Sequence, residues 1–216
     1  MGTSAAMVQL KVVKAGGAGG QTTMKCADIL ACFDPPIKFG SHARMVGSKK
    51  GYQAEHVIPA SSMHKKGRKG ARIAGASGYS TSGALTFMAS DGQKKGFEHK
   101  ILTDRMRKFS QANDAANPKK NPTLKEWLEE YKKGAKDALD KGKPPRRIKR
   151  RDLRRSSLID AAAECIKRAA AEAFSKMRPP VKPNTPLRNP WKATAAQKRA
   201  ARATGRAGRT STRTGV

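Results

Sequence analysis

Two short apolar segments followed by an amphipathic one constrain the fold of this chain more than any other feature. Residues 51–59 and 84–89 have the composition of strands, and residues 97–109 carry apolar side chains at helical spacing. A turn around Asp91 and Gly92 separates the second strand from the helix. The pattern predicts a strand, strand, helix unit, and with it a fold of the α+β class.

Four further segments have regular patterns. They are a strand at residues 8–14 and helices at residues 23–33, 124–139 and 152–177. Thr123 and Glu126 form the signature of a capping box, which places the start of the helix at 124–139. The helix at 152–177 is rich in alanine and offers these candidate core residues: Leu158, Ile159, Ala162, Cys165, Ile166, Ala169 and Phe174.

These patterns divide the chain into three expected regions. Residues 8–110 form the α+β domain, residues 123–178 form a basic helical region, and residues 179–216 form a basic tail. Pro, Arg, Ala, Gly and Thr dominate the tail, so we expect it to be disordered without a partner.

The net charge of the chain is +30, from 46 basic and 16 acidic residues. So much like charge opposes a compact fold unless an anionic partner relieves it. Solubility alone needs a net charge of only about 2 to 8 in a small domain. Nucleic acid is the partner we expect, because each neutralised phosphate releases counterions. An anionic membrane surface and an acidic protein are the alternatives.

The cysteines and the hydropathy exclude several classes of protein. Three cysteines are too few for a disulfide scaffold, and Cys26 and Cys32 are too far apart for the close pair of a zinc knuckle. We expect both to be small buried hydrophobes, with a disulfide between them as the alternative. No apolar run is long enough for a transmembrane helix or a signal peptide, so we expect synthesis in the cytoplasm.

The four histidines are His42, His56, His64 and His99, and His56 is the most informative. It follows Glu55 at the end of the first predicted strand, where a bend in the backbone can turn both side chains to one side. Such a pair can present one group to a metal ion and the other to a water molecule. His99 lies in the first turn of the predicted helix, and His42 is expected in a loop.

The order of these residues resembles the HNH, or ββα-metal, nuclease superfamily. It resembles most closely the nuclease toxin domains of bacterial polymorphic toxins and secretion-system effectors. One variant of those domains follows a Glu-His, His, His order, which Glu55-His56, His64 and His99 match. The resemblance covers residues 51–109, about a quarter of the chain, and the segment EHVIP is its most specific part. By this resemblance, residues 8–110 are the nuclease domain.

The resemblance implies a role for each of these residues. His56 would be the general base that takes a proton from the attacking water. Glu55 and His99 would hold a divalent metal, expected to be Mg²⁺, with Mn²⁺, Ni²⁺ and Zn²⁺ as alternatives. His64 would be a further ligand or a phosphate contact.

The motif helix would lie in or near the minor groove of DNA, as in that superfamily. We expect basic side chains to contact the phosphates: Lys65, Lys66, Arg68, Lys94, Lys95, Lys100, Arg105, Arg107, Arg146, Arg147, Lys149, Arg150 and Arg151.

The sequence departs from the family pattern in two ways. Many members have an asparagine between the two motif histidines, and none lies between His56 and His99 here. The candidates to replace it are Ser61, Ser62 and Gln93, with Asn113 and Asp114, beyond the predicted helix, as alternatives. The long separation of the two histidines also implies an inserted loop, residues 64–83.

These inferences lead us to expect a metal-dependent endonuclease that cuts DNA, or also RNA, with little sequence specificity. A toxin of this kind would be delivered into the target-cell cytoplasm by a specialised secretion system and neutralised in its producer by an acidic immunity protein. Two alternatives stay open. One is a non-catalytic, architectural nucleic-acid-binding protein, and the other is a housekeeping or phage HNH endonuclease.

Overall fold

A computed structural model of the chain describes residues 7–16, 20–68, 70–91 and 96–210, with side chains to residue 204. The strands are β1 (Gln9–Val13), β2 (Gln21–Lys25), β3 (Phe33–Asp34), β4 (Phe39–Ser41), β5 (Tyr52–His56), β6 (Leu85–Ser90) and β7 (Arg147–Ile148). The helices are α1 (Cys26–Ala31), α2 (His42–Met45), α3 (Glu98–Ala116), α4 (Leu124–Lys141), α5 (Arg155–Ser175) and α6 (Ala195–Thr210). The fold is of the α+β class, as the sequence predicts.

The predicted strand, strand, helix unit is present as β5, β6 and α3. β5 and β6 pair antiparallel, with Glu55 opposite Phe87 and His56 opposite Thr86. The short strand β4 adds to the other side of β6 and completes a three-stranded sheet. α3 is longer than predicted, because its last turns are held by the buried polar residues Ser110 and Asp114, which bond to the backbone of Trp191 and Ala193.

The prediction of a helix over residues 23–33 is wrong at its start. Residues 21–25 instead form β2, which pairs antiparallel with β1 and places Leu10 opposite Met24. The β-branched Thr22 and Thr23 favour an extended backbone where a partner strand is available. The helix begins only at Cys26.

The helical half shares one core with the sheet. Thr123 and Glu126 form the predicted capping box at the start of α4. All seven residues proposed for the core of the last predicted helix are buried in α5. The two expected regions on either side of residues 117–122 are therefore packed against each other rather than separate in their cores.

A disulfide between Cys26 and Cys165 joins α1 to α5. The expectation of two free, buried cysteines at Cys26 and Cys32 holds only for Cys32, and the alternative pairing of these two is wrong. The sequence offered no means to find the partner of Cys26, because the two bonded residues are 139 positions apart.

Residues 179–194, called here the C-terminal strap, cross the body of the protein in an extended path. The expectation of a disordered tail is wrong for this segment. Val181 and Leu187 are buried, and the backbone bonds to Pro122 and Leu124 beside α4. Pro-rich composition resembles disorder, but a few well-spaced apolar side chains suffice to hold an extended segment. α6 follows the strap, and residues 211–216 lie outside the described part.

Within the described ranges, no helix is both long enough and apolar enough to span a membrane.

Candidate active site

A cleft lies where the end of β5 meets the start of α3. Its volume is about 70 Å³, which suits a phosphate group or a few water molecules better than a large ligand. The polar and aromatic residues that line it and matter here are His42, Glu55, His56, Arg68, His99 and Trp191. Both members of the Glu55-His56 pair face the same cleft, as the sequence analysis anticipates for a strand end.

Glu55 and His99 touch in this cleft. The carboxylate Oε2 of Glu55 lies 2.5 Å from Nδ1 of His99. Burial raises the pKa of Glu55 and outweighs the opposing effect of the histidine. Burial lowers the pKa of His99, but the hydrogen bond and charge of Glu55 outweigh it and the net shift is upward. The two groups therefore form a hydrogen-bonded pair, in which a metal ion could take the place of the bridging proton.

This pair fits a divalent metal by its chemistry. A carboxylate oxygen and an imidazole nitrogen are ligands accepted by Mn²⁺, Ni²⁺ and Zn²⁺, and a carboxylate with water and phosphate oxygens suits Mg²⁺. The described residues contain no group of three or more His, Cys, Asp and Glu side chains arranged to hold a metal. The pair would therefore share a metal with water and with the phosphate of a substrate.

His56 is held in a defined orientation by the backbone. Its Nε2 lies 3.2 Å from the carbonyl oxygen of Thr81. Because a carbonyl can only accept, Nε2 carries the proton and Nδ1 keeps its lone pair. Burial is the main cause that lowers the pKa of His56, to about 4, so that the ring is neutral near pH 7.

The backbone carbonyl of Thr81 holds the ring of His56, where a side chain is expected in place of the missing asparagine. The backbone of the inserted loop, and no side chain of Ser61 or Ser62, orients His56. Gln93, the third candidate, lies outside the described residues.

His42 belongs to the cleft, although the sequence predicts only a loop at this position. It is the first residue of α2, and its ring lies 4.2 Å from the ring of His56, centroid to centroid, at an angle of 31°. Burial and the nearby charge of Arg68 lower the pKa of His42. The pairing of β4 with β6 brings His42 to the site, and no local pattern announces that pairing.

His64 does not belong to the cleft, and its assignment as a ligand or phosphate contact is wrong. Its side chain is buried, with Nδ1 2.8 Å from the carbonyl oxygen of Ala60. The ring packs edge-on against Tyr79 at 5.9 Å. His64 therefore fixes the loop after β5 instead of reaching the Glu55-His99 pair.

The predicted phosphate contacts near the motif fall into three groups. Arg68 lines the cleft, and Lys65 and Lys66 are exposed on the same loop. Lys94 and Lys95 lie outside the described residues. The remaining three lie on α3 and have partners there: Lys100 with Asp104, Arg105 with Glu130 and Asp137, and Arg107 with Asp104 and the ring of Trp191.

Arg146 is not a phosphate contact, and that prediction is wrong. It is only 4% exposed, and its guanidinium group bonds to both carboxylate oxygens of Glu98 at 2.6 and 2.8 Å. It also donates to the carbonyl oxygens of Pro35 and Met88. The other four predicted contacts of this run are exposed: Arg147, Lys149, Arg150 and Arg151. A run of arginines does not reveal which of its members is buried.

Comparison of the chain with known protein families, with curated proteins and with solved structures finds no match.

Proposed function

We propose that this protein is a metal-dependent endonuclease that hydrolyses DNA phosphodiester bonds with little sequence specificity. The observation that carries the proposal is the contact between Glu55 and His99 beside the backbone-oriented ring of His56. The order β5, β6, α3 supports a relationship to the HNH superfamily, because each of these three residues lies on the element that the resemblance implies.

His56 acts as the general base. Its Nε2–H is fixed by Thr81, so the lone pair on Nδ1 is available to accept a proton from water. The adjacent, tilted ring of His42 limits the rotation of His56 about its side-chain bonds. The backbone bond and the adjacent ring thus hold the base in one orientation before a substrate arrives.

Glu55 and His99 would hold the metal ion. When bound, the metal polarises the scissile phosphate and stabilises the charge on the leaving 3′ oxygen. Arg68, at the edge of the cleft, neutralises and orients the phosphate. Its guanidinium group reads no base, so cleavage should depend little on sequence.

The net charge and the resemblance to effector domains also support a proposal for the role of this protein in the cell. A basic nuclease of this kind would act as an antibacterial toxin delivered into a target cell. Its producer would need an acidic immunity protein, and opposite charges would make the association of the two fast.

Plasmid cleavage tests the nuclease. Supercoiled plasmid is incubated with the full-length protein and Mg²⁺, Mn²⁺, Ni²⁺ or Zn²⁺, with EDTA as the control. We expect cleavage by the wild type and a loss of at least about a hundredfold in His56→Ala and in Glu55→Gln. Glu129→Gln is the matched control, since its carboxylate is exposed on α4 and should leave the rate unchanged.

DNA binding without cleavage in all four metals would contradict the proposal and favour an architectural protein. Equal activity in wild type and His56→Ala would remove His56 from the mechanism. A parallel assay with structured RNA shows whether both nucleic acids are substrates.

A further inference from the structure

Trp191 reaches the cleft from the C-terminal strap. It lines the same small cavity as His56, Arg68 and His99, yet it lies 92 positions beyond His99 in the chain. Its side chain is only partly buried, whereas Trp127, the other tryptophan, is fully buried between the helices. The ring of Trp191 packs against the core on one part of its surface and leaves another part open beside the phosphate-sized cleft.

The position of Trp191 is fixed on both sides. Its backbone N–H and carbonyl both bond to the hydroxyl of Ser110 on α3, at 3.2 and 2.9 Å. The next two residues bond to the buried carboxylate of Asp114. On the other side, Arg188 donates to the carbonyl oxygen of Ser61 at the edge of the cleft. The backbone that carries the ring is therefore rigid.

Two arginines lie close to the ring of Trp191. The guanidinium carbon of Arg107 lies 5.9 Å from the ring centroid, within the range of a cation–π contact. Arg68 lies at the same cleft, and Glu55 is the one carboxylate among the described residues that line it. Aromatic rings with neighbouring arginines bind single-stranded nucleic acids by stacking on bases while the cations bind the phosphates.

We propose that Trp191 stacks on the nucleobase next to the phosphate held in the cleft, and that the protein therefore binds unpaired nucleic acid in preference to a duplex. This inference rests on the proposed function, because it takes the cleft to hold a phosphate of the substrate. In a duplex each base already has neighbours on both faces, so an aromatic ring can stack only on a base that has left the helix. Taking a base out of the duplex costs free energy of unstacking and unpairing, whereas single strands, loops and frayed ends offer unstacked bases without this cost.

The two tryptophans allow a direct test by fluorescence. The full-length protein is titrated in EDTA, so that no cleavage occurs, with oligothymidylate or with the matching duplex. We expect the single strand to quench the tryptophan emission of the wild type. Trp191→Phe should lose that quenching while it keeps most of its affinity, because Trp127 is buried and a phenyl ring still stacks.

Affinity is measured in parallel by anisotropy of the labelled oligonucleotide. Trp191→Ala should weaken binding of the single strand roughly 5- to 150-fold, the range that corresponds to one lost stacking contact. Binding of the duplex should change less than about twofold. Circular dichroism of each variant shows that it is folded, and Trp191→Phe keeps the test decisive if Trp191→Ala unfolds.

Equal losses for single strand and duplex, or quenching that survives in Trp191→Phe, would overturn the inference. Metal-dependent plasmid cleavage without any quenching would also overturn it and leave the proposed function intact. Quenching and strand preference without cleavage in any metal would support the stacking site and contradict the nuclease.

Discussion

Replacing Arg146 should destabilise the fold strongly, whereas replacing its neighbour Arg147 should not. Arg147 is the first residue of β7, and Arg146 directly precedes the strand. The sequence alone assigns both arginines to phosphate contact. In the structure Arg146 is buried against Glu98, and Arg147 is exposed. Arg146→Met and Arg147→Met are thus matched variants that lose the same charge in opposite environments.

The magnitude follows from what Arg146→Met leaves behind. Glu98 is 2% exposed, and its side-chain carboxylate would keep only the hydrogen bond from the backbone N–H of Ser90. The carbonyl oxygens of Pro35 and Met88 would lose their charged donor. Removal of one partner from a buried ion pair costs about 3–5 kcal/mol. At about 2–4 °C per kcal/mol for a chain of this size, the melting temperature should fall by about 6–20 °C.

Thermal and urea denaturation of both variants measure this difference, with DNA binding measured at several salt concentrations. Arg147→Met should stay within about 0.5 kcal/mol of the wild type in its free energy of unfolding. It should also lower the salt dependence of DNA binding if its phosphate contact is real, by about 0.9 in the logarithmic slope. Two variants of equal stability would refute the argument from burial.

Three other predictions concern the site and the helical half. His42→Ala should lower kcat about tenfold with little change in KM, because His56 loses the ring that limits its rotation. His42→Phe should restore most of kcat, because it keeps an aromatic ring beside His56, and steady-state kinetics of both variants measure the difference. Three basic side chains contact Glu164 and, against the opposing effect of burial, lower its pKa to about 2. The ionised Glu164 stabilises the fold fully above its ordinary pKa of 4.5, and this stabilisation is lost as the pH falls towards 2. At pH 6 the wild type should be more stable than Glu164→Gln by about 1 kcal/mol, a difference that solvent screening keeps small. In acid unfolding the two proteins should approach equal stability as the pH falls from 4.5 towards 2. Reduction of the Cys26–Cys165 disulfide should lower the free energy of unfolding by about 2–5 kcal/mol, measured as a lower melting temperature in dithiothreitol. Cys165→Ala should show the same lower melting temperature without reductant, and dithiothreitol should not change it further.

The local parts of the fold could be predicted from the sequence because local patterns determine them. Alternation and helical spacing locate β5, β6 and α3, and the capping box locates the start of α4. The resemblance implies that Glu55 and His99 hold one metal ion, which stays a prediction; the structure shows that the two side chains are in contact.

The remaining parts depend on contacts between distant segments. His42 and Trp191 enter the cleft through pairing and packing that no spacing rule encodes. Arg146 differs from Arg147 only in what the fold places around it. His64 matched a motif by order, but its burial against Tyr79 was decided by the loop that carries it.

The C-terminal strap supplies the part of the cleft that is synthesised last. The cleft needs His42 from early in the chain and Trp191 from late in it. A ribosome releases the chain from its N-terminus, so the strand and helix that carry Glu55 and His99 emerge well before the strap that closes the wall beside them. During synthesis the nascent chain is therefore already basic while its cleft is still incomplete. Only after residue 191 has left the ribosome can the strap dock on Ser110 and Asp114 and complete the site.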